Sequence, residues 1–369
     1  MVNTGYKQNL NFGNETRYGS SAVINQPIGL VQTINPTETN NLIKIRTLGG
    51  TRDYNNIVPG KFEISGNFDY FLQGGAFLRM GMGEDTGTTT TIDSGPKYHT
   101  GQGATGTTYL HIMGSAASPQ ADSFPSFTLE FADSEDTGAA AATVNLKRKY
   151  TGCRVNNLTI SGSVDEPVKV AVDFIGQGVA ISTAAATSVT AQTVDPYVFY
   201  QGWIYATSGE ISARTSIATA SRLAEVASFD LGVNNNLEAL YYISGTTSVY
   251  QTSTRGLKNL LAKGRDYTSS LNMNFKNKQM YQRFLGAATA TSPQATLTNY
   301  QIVLDFSRSG SPTSTPKAIT DDYIRMVLRN CKFGDMNIPG GPEDVVAQTI
   351  GVEVAAAKFY VVDADASYK

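Results

Sequence analysis

Hydrophobic and polar residues alternate with a period of two in several segments of this chain. The clearest cases are the stretches CRVNNLTISG at 153–162 and CKFGDMNIPG at 331–340, each of which begins at one of the two cysteines. An acidic turn follows each stretch, and the alternation resumes in VKVAVDFIG at 168–176 and VVAQTIGVEV at 345–354. Because successive side chains of a strand point to opposite faces, this period predicts strands with one buried face. The pattern therefore predicts a mainly β protein.

The cysteine stretches belong to a longer internal repeat. Three more pairs of segments occur in the same order: SFTLEF at 126–131 with IVLDF at 302–306 (Leu129 on Leu304), AFLRM at 76–80 with MYQRF at 280–284 (Arg79 on Arg283), and NLIKIRTLGGT at 41–51 with NLEALYYISGT at 236–246. Ordered self-similarity of this kind indicates a repeated structural unit. We expect a tandem duplication, with one β domain at 1–184, a second at 185–369, and an Ala/Thr-rich linker at about 183–196.

One short helix is predicted in each unit. Apolar residues three and four positions apart lie on one face of a helix, and the second unit has such a set in Met280, Tyr281, Phe284 and Leu285. The repeat places the corresponding helix of the first unit at 76–80. Each unit should therefore contain strands, one short helix, and strands again.

Composition and charge exclude several classes of protein. Hydrophobic residues make up 41% of the chain and charged residues 16%, and the formal net charge is −2. Without a basic patch, the chain lacks the electrostatic signature of a sequence-specific DNA-binding protein. No window approaches eighteen consecutive apolar residues, and the N-terminal residues lack the pattern of a secretory signal. We therefore expect no membrane insertion and no export by that route.

The sequence predicts no catalytic, cofactor or metal site. The two cysteines lack the spacing of a zinc motif, and we expect them to be reduced and buried. GQGATG at 101–106 has the spacing of a dinucleotide-binding loop but lies in a predicted hairpin rather than between a strand and a helix. His99 and His111 flank this loop without carboxylates at ligand spacing, and the acid pairs at 165–166 and 343–344 occupy repeated turns. We predict that the protein is not an enzyme.

Three segments of the first unit resemble the tail tube proteins, also called major tail proteins, of tailed phages and related archaeal viruses. They are YTGCRVNNLTISGSVDEPVKVAVDFIGQG at 150–178, FPSFTLEF at 124–131 and LGGTRDYNNIVPGKFEISGNFDYF at 48–71. The second unit departs more from the family pattern, for example in IPGGPED at 338–344. The resemblance implies a β-sandwich or barrel flanked by one helix. It also implies that six such units form a ring whose inner strands line a tube.

The resemblance implies a structural function in a virion tail. With two units in one chain, three chains would complete a homotrimeric ring with pseudo-sixfold symmetry, and rings would stack head to tail into a tube that conducts the genome during ejection. The partners it implies are other copies of the chain, tail terminator, tape measure and baseplate proteins, and transient, non-specific contact with viral DNA. Assembly would take place in the host cytoplasm. Because phosphates attract basic side chains, we expect a neutral or acidic lumen.

Two loops are predicted to contact the neighbouring ring. They span Thr47 to Lys61 and Tyr250 to Lys263 and are rich in Gly, Pro and polar residues. The residues that we assign to this contact are Thr47, Arg52, Asp53, Pro59, Lys61, Tyr250, Lys258 and Lys263.

Two other functions remain open from the sequence. One is an adhesive or carbohydrate-binding β-sandwich on a virion surface, for which the tyrosine pair at 241–242 would supply an aromatic platform. The other is a porin-like β-barrel, which the short strands allow but the lack of a secretory signal and of repeated ten-residue lipid-facing strands disfavours.

Overall fold

The fold is mainly β, as the alternating pattern predicts. The structure is a computed structural model that describes residues 8–48, 52–83, 109–114, 124–134, 144–184, 186–190, 192, 194–211, 217, 221–223, 225–242, 255–308, 322–339 and 346–363. We refer to residues 1–184 as the first half and to 185–369 as the second half.

The first half contains nine strands and one short helix among its described residues. These are β1 (Gln8–Asn14), β2 (Gln26–Pro27), β3 (Leu30–Ile45), β4 (Asn56–Phe71), α1 (Leu78–Met82), β5 (Tyr109–Gly114), β6 (Phe127–Ser134), β7 (Val144–Ser163), β8 (Lys169–Gly176) and β9 (Gly178–Ser182).

The second half has a similar order of elements. Its described residues form a 3-10 turn (Phe199–Gln201), β10 (Gly202–Thr207), β11 (Val226–Asn234), β12 (Leu237–Leu240), β13 (Asn259–Ala262), β14 (Asp266–Asn274), α2 (Gln279–Phe284), β15 (Tyr300–Ser307), β16 (Tyr323–Asn337), β17 (Ala347–Glu353) and β18 (Ala356–Asp363).

The strands form one long sheet and two shorter sheets. The long sheet has the order β3-β4-β8-β7-β11-β14-β17-β16. The first short sheet has the order β2-β1-β6-β7-β9, and the second has the order β10-β15-β16-β18-β5. The long strands β7 and β16 each contribute to two sheets. They therefore join each short sheet to the long one.

An apolar core lies between the long sheet and each short sheet. In the first half, the ring of Phe77, just before α1, lies 5.0 Å from that of Phe12, 5.3 Å from that of Phe68 and 5.3 Å from that of Phe127. These partners come from β1, β4 and β6, so Phe77 packs against both facing sheets. In the second half, Phe229 of β11 and Phe306 of β15 have ring centroids 5.6 Å apart.

The two halves repeat the same strand register around their cysteines. β7 pairs Arg154 with Ile175, and β16 pairs Lys332 with Glu353, so both strands are shifted by 178 positions (332 − 154 and 353 − 175). Each ladder is interrupted at the same step, between 155 and 157 and between 333 and 335. The shift of 178 also relates the β7–β9 and β16–β18 pairs, such as Arg148 with Ile181 and Met326 with Phe359.

The hairpin β3–β4 and its counterpart in the second half also share one register. Val31 pairs with Tyr70 as Val226 pairs with Met273, which corresponds to shifts of 195 and 203 positions (226 − 31 and 273 − 70). The same shifts relate the distal pairs Leu42–Pro59 and Leu237–Ala262. β11 with β12 therefore corresponds to β3, and β13 with β14 corresponds to β4.

An asparagine fixes the bend in each of these hairpins. Asn41 donates from Nδ2 to the Lys61 carbonyl at 3.3 Å and to the Glu63 carboxylate at 2.8 Å. Asn236 donates in the same way to the Gly264 carbonyl and the Asp266 carboxylate, both at 2.7 Å. The two clamps occupy positions 195 residues apart (236 − 41), which is the shift of the surrounding strand.

Two of the four sequence alignments need correction. Phe127 lies opposite Cys153 and Tyr300 opposite Cys331, so Leu129 corresponds to Ile302 and not to Leu304. The slip of two residues keeps every side chain on its face, which is why alternation alone does not reveal it.

The helix alignment is wrong by one residue. The bonds Leu72 N–H to the Val168 carbonyl and Phe275 N–H to the Val346 carbonyl are equivalent, and the glycines at 83 and 286 both have positive φ. Both observations give a shift of 203, which places Arg79 on Gln282 rather than on Arg283.

The segment predicted as a linker is bound to the first half along much of its described length. Thr187 donates to the Glu130 carboxylate from its backbone N–H at 2.7 Å and from its hydroxyl at 2.9 Å. Tyr197 is buried, and its backbone bonds Leu72 and Val168. The connection therefore orients the second half rather than acting as a free tether.

The free edges of the short sheets differ. β5, which lies in the longer helix-to-strand connection of the first half, pairs with β18. Among the described residues, β9 has β7 as its one neighbour, and its Ile181 is 72% exposed. The short sheet of the second half therefore has one additional strand, β5, at the edge where the short sheet of the first half ends with β9 among the described residues.

Candidate assembly surface

A strand pair between the two halves makes the long sheet continuous. β11 of the second half pairs with β7 of the first in an antiparallel ladder that runs from Ser228–Ser163 to Asn234–Asn157. The ladder ends in a bond from the Asn235 N–H to the Asn156 carbonyl at 2.8 Å. We call this junction the internal seam.

Asn235 forms the polar centre of the internal seam. Its side chain is buried and donates to the carbonyls of Gly81 and Val155, both at 3.0 Å. Arg265 donates from Nε to the Asn235 side-chain oxygen at 2.7 Å and from a terminal nitrogen to the Met82 carbonyl at 2.8 Å. The second half thus satisfies carbonyls at the C-terminal end of α1, which a short helix leaves without partners.

Residues 235–242 and 255–266 of the second half contact the first half. We call the segment 235–266 the second arm and the equivalent segment 40–63 the first arm, and the structure describes residues 235–242 and 255–266 of the one and 40–48 and 52–63 of the other. Arg154 donates to the Leu260 carbonyl, Gln177 donates to the Lys258 carbonyl at 3.3 Å, and the Leu237 N–H donates to the Asn156 side chain at 3.0 Å. Burial lowers the pKa of the Arg154 guanidinium. Two backbone carbonyls and one backbone N–H of the second arm therefore bond to side chains of the first half, among them the packed Arg154.

The two arms also contact each other. Arg255 donates to the Gly60 carbonyl at 2.7 Å and to the Asn40 side chain at 2.8 Å, and its own carbonyl accepts from the Phe62 N–H at 3.0 Å. The Lys61 ammonium lies 5.2 Å from the centre of the Tyr241 ring. Tyr241 therefore takes part in a contact between the arms.

At each end of the long sheet, the described residues include a strand with one free edge. In the part of the chain that the structure describes, β3 has β4 as its one neighbour, and residues 332–337 of β16 have β17 as theirs. Their counterparts β11 and β7 are paired on both sides. Unpaired N–H and C=O groups make such edges templates for a further strand.

Side chains at both ends are more exposed than their counterparts at the internal seam. Leu260 of the second arm is 1% exposed, whereas the equivalent Ile57 of the first arm is 51% exposed. Ile160 of β7 is fully buried, whereas the equivalent Ile338 is 37% exposed. Both ends therefore carry apolar groups that the neighbouring half covers at the internal seam and that the single chain leaves uncovered.

The helices show the same asymmetry. All five residues of α1 are buried, partly because the second half covers its C-terminal end. In α2, Met280 is the buried residue, and Tyr281 is 45% exposed although its counterpart Leu78 is fully buried. α2 therefore has an exposed flank whose counterpart on α1 is covered.

Pro36 lies in β3, which has one free edge in the single chain. A proline has no N–H to donate, so the free edge of β3 lacks one ladder donor. The equivalent residue of the paired strand β11 is Leu231, which is fully buried. The two halves thus differ at the position where one strand is central and the other is not.

The predicted inter-ring residues fall on the two arms. Thr47, Arg52 and Asp53 are exposed near the tip of the first arm. Pro59 and Lys61 lie in β4, where Pro59 pairs with Leu42. The structure brings these residues together on one hairpin.

The predicted residues of the second loop lie on the second arm or outside the described residues. Lys258 adjoins β13 and donates its N–H to the Leu240 carbonyl at 2.9 Å, while Lys263 forms an ion pair with Glu238 at 2.6 Å. Tyr250 lies outside the described residues. Their inter-ring role stays a prediction, because the contacts just described are made within the chain.

Sequence reasoning missed the residues that form the internal seam. Asn235, Arg255, Leu260 and Arg265 attracted no attention as a group, although an Asn-Asn-Leu sequence occurs at both 40–42 and 235–237. That repeated asparagine pair was the available signal, because an asparagine before an alternating segment can fix a bend.

The structure describes some of the residues that were considered as catalytic or metal-binding. Both cysteines are free and buried, and burial raises the pKa of the Cys331 thiol to about 12 and that of Cys153 well above its ordinary value. His111 is buried in β5 with Nε2 3.5 Å from the Asp363 carboxylate. Among described residues, no three potential ligands cluster around a metal position. His99, GQGATG and the 343–344 acid pair lie outside those residues.

The remaining acid pair belongs to a structural turn. Asp165 has positive φ, and the Glu166 carboxylate accepts from the Ser163 hydroxyl at 2.8 Å. Separately, neither described helix is long and apolar enough to cross a membrane.

Comparison with known proteins identifies the family of the chain. No curated protein matches the sequence. The sequence model of the phage tail tube protein family matches residues 5–354, which includes both halves and the internal seam. This chain belongs to the phage tail tube protein family.

Proposed function

We propose that the chain is a tandem duplication of one tail tube unit, at 1–184 and 185–369, and that three chains close a ring of six units. The observation that carries this proposal is the internal seam together with two free strand edges, which are equivalent to the two strand edges that meet at the seam. Among the described residues, β7 is paired with the next half while the matching part of β16 is open on that side, and β11 is paired with the previous half while β3 is open on that side. Applying the same junction between chains uses both open edges and leaves the long sheet without an end, because a closed ring has none.

Stacked rings would form a tube that conducts viral DNA. The solvent face of the long sheet is rich in hydroxyl, amide and carboxylate groups, and its carboxylates include Asp69, Asp173, Asp230, Asp266, Asp335 and Glu353. Lys169 on the same face is neutralised by Asp69 at 3.0 Å. If this face lines the lumen, it repels phosphates rather than binding them, so DNA is not retained. Further tail proteins would cap the two ends of the tube, and assembly would take place in the host cytoplasm.

Ring formation is tested on the purified chain at increasing concentration. Mass photometry should give particles of three times the 39.5 kDa chain mass, and negative-stain images should show hollow tubes of uniform diameter. Compact monomers alone, at high concentration, would contradict the proposal.

The tips of the two arms are proposed to contact the next ring. Thr47, Arg52 and Asp53 near the tip of the first arm, and Tyr250 in the second loop, would make this contact. Replacing residues 47–54 with an Asn-Gly turn, which suits a two-residue hairpin, should leave rings intact and prevent tubes. Electron microscopy and mass photometry measure the two outcomes separately. Tubes of normal length from the shortened chain would sink the assignment.

A further inference from the structure

We propose that the seam between chains repeats the register of the internal seam, so that β3 of one chain pairs with β16 of the next with Thr37 opposite Asn337. This inference rests on the proposed ring, and it specifies which atoms of the two open edges meet. Its basis is that the halves share one register in every ladder compared above, so the partners of β11 identify those of β3.

The register follows from two shifts. At the internal seam Gly232 pairs with Thr159, and Asn234 pairs with Asn157. Subtracting 195 from the β11 residue and adding 178 to the β7 residue turns Gly232–Thr159 into Thr37–Asn337. The same operation turns Asn234–Asn157 into Thr39–Asp335.

The internal seam also fixes which pairs exchange hydrogen bonds. The bond from the Asn235 N–H to the Asn156 carbonyl shows that odd-numbered residues of β11 direct their backbone groups toward β7. Thr37–Asn337 corresponds to a pair without ladder bonds, in which the two Cα atoms lie about 4.5 Å apart. Asn40 corresponds to Asn235, so its N–H would reach the Gly334 carbonyl and its side chain the Phe333 carbonyl.

The first arm would lie on the next chain as the second arm lies on the first half. Leu260 presents its carbonyl to Arg154 and is buried, and the equivalent pair between chains is Ile57 with Lys332. A lysine preserves the positive donor at this position. Ile57, which is half exposed in one chain, would lose its solvent contact in the ring.

The seam between chains would be weaker than the internal seam at two positions. Pro36 replaces Leu231 and supplies no N–H to the partner strand. Gly334 replaces Asn156, whose side chain accepts from the Leu237 N–H at 3.0 Å. The ring should therefore open between chains and not within them.

A disulfide across the proposed pair tests the register. Thr37→Cys with Asn337→Cys places two sulfurs on a pair whose Cα separation suits a disulfide, which requires about 4.4–6.8 Å. The control is Thr37→Cys with Asp335→Cys, a pair displaced by two residues to about 7–8 Å. Cys153 and Cys331 do not interfere because both are buried.

The expected result is covalent dimers and trimers from the 37/337 variant under mild oxidation, reversed by reductant, with at least tenfold less from the 37/335 variant. Mass photometry of the same samples reports whether rings are present. Rings without the 37/337 link, or with preferential 37/335 linkage, would overturn the register and leave the ring standing. Absence of rings at every concentration would overturn the proposed function and the register with it.

Discussion

Replacing Ile57 with asparagine is expected to prevent ring formation while leaving the single chain folded. Ile57 is half exposed in one chain, and such a surface change alters the free energy of unfolding by about 0.5 kcal/mol. In the ring the same side chain would be buried. Because about half of this side chain is already covered in the single chain, losing it forfeits about half of the ~1.5–3 kcal/mol of full burial, and the amide adds about 1–3 kcal/mol if it has no partner. A total of about 3 kcal/mol per seam corresponds to roughly a hundredfold weaker association.

Two matched variants separate this effect from a general loss of stability. Ile181→Asn makes the same change at a more exposed strand position that the proposed seam does not use, and it should form rings like the parent chain. Leu260 is the counterpart of Ile57 and is already buried in the single chain. Leu260→Asn should therefore lower the free energy of unfolding of the chain itself by about 4 kcal/mol. Mass photometry and urea unfolding are the two measurements. Undiminished rings from Ile57→Asn would contradict the role assigned to the first arm.

The fold class and the repeat pattern of the strands could be predicted from the sequence. The alternation of apolar and polar residues shows which side chains share a face of a strand. In 153–162 the period of two holds on each side of the interruption between 155 and 157: Cys153 and Val155 are buried before it, and Leu158 and Ile160 after it. The extra residue at the interruption shifts the phase by one, which the period alone does not predict. The shift of 178 between the cysteines also holds for β8 and β9 and their partners. Where a rare residue such as cysteine occurs at the same place in two alternating segments, the two halves can be aligned in few other ways.

Register elsewhere could not be obtained in this way. Moving IVLDF by two residues against SFTLEF preserves the inward and outward positions, so the sequence offers no penalty for the wrong choice. The actual register depends on which residue lies opposite Cys153 and Cys331, a contact between separate strands. The one-residue error in the helix has a similar cause, because a helix of five or six residues has too few positions to define a stripe.

The candidate assembly surface could be predicted only in part from the sequence. The sequence identified the two arms as loops of interest, but it could not show that the second arm crosses the first half, because that contact joins Leu260 to Arg154 over 106 positions. The sequence also could not show that β11 is paired on both sides while β3 is paired on one side among the described residues. Pro36 was the one local signal of the difference, since a proline in a strand indicates an edge.

Replacing Asn235 with alanine should destabilise the chain, whereas the same change at Asn40 should destabilise only the ring. Asn235 is buried and makes two donated bonds and one accepted bond, so its loss leaves the Gly81 and Val155 carbonyls and the Arg265 guanidinium without that partner. At about 1–3 kcal/mol for each buried group left without its partner, partly relieved by relaxation, the expected loss of unfolding free energy is about 3–4 kcal/mol. Asn40 is exposed in one chain and accepts one bond, from Arg255.

The two alanine variants use the repeat as an internal control, because the substituted residues are equivalent. Urea unfolding of the monomer should separate them: Asn235→Ala shifts the midpoint clearly, and Asn40→Ala shifts it by less than about 1 kcal/mol in free energy. In the ring Asn40 would become what Asn235 is at the internal seam, so Asn40→Ala should raise the concentration needed for ring formation at least tenfold. Equal effects of the two variants on the monomer, or an Asn40→Ala ring of parental affinity, would show that the chain-to-chain seam is built differently from the internal one.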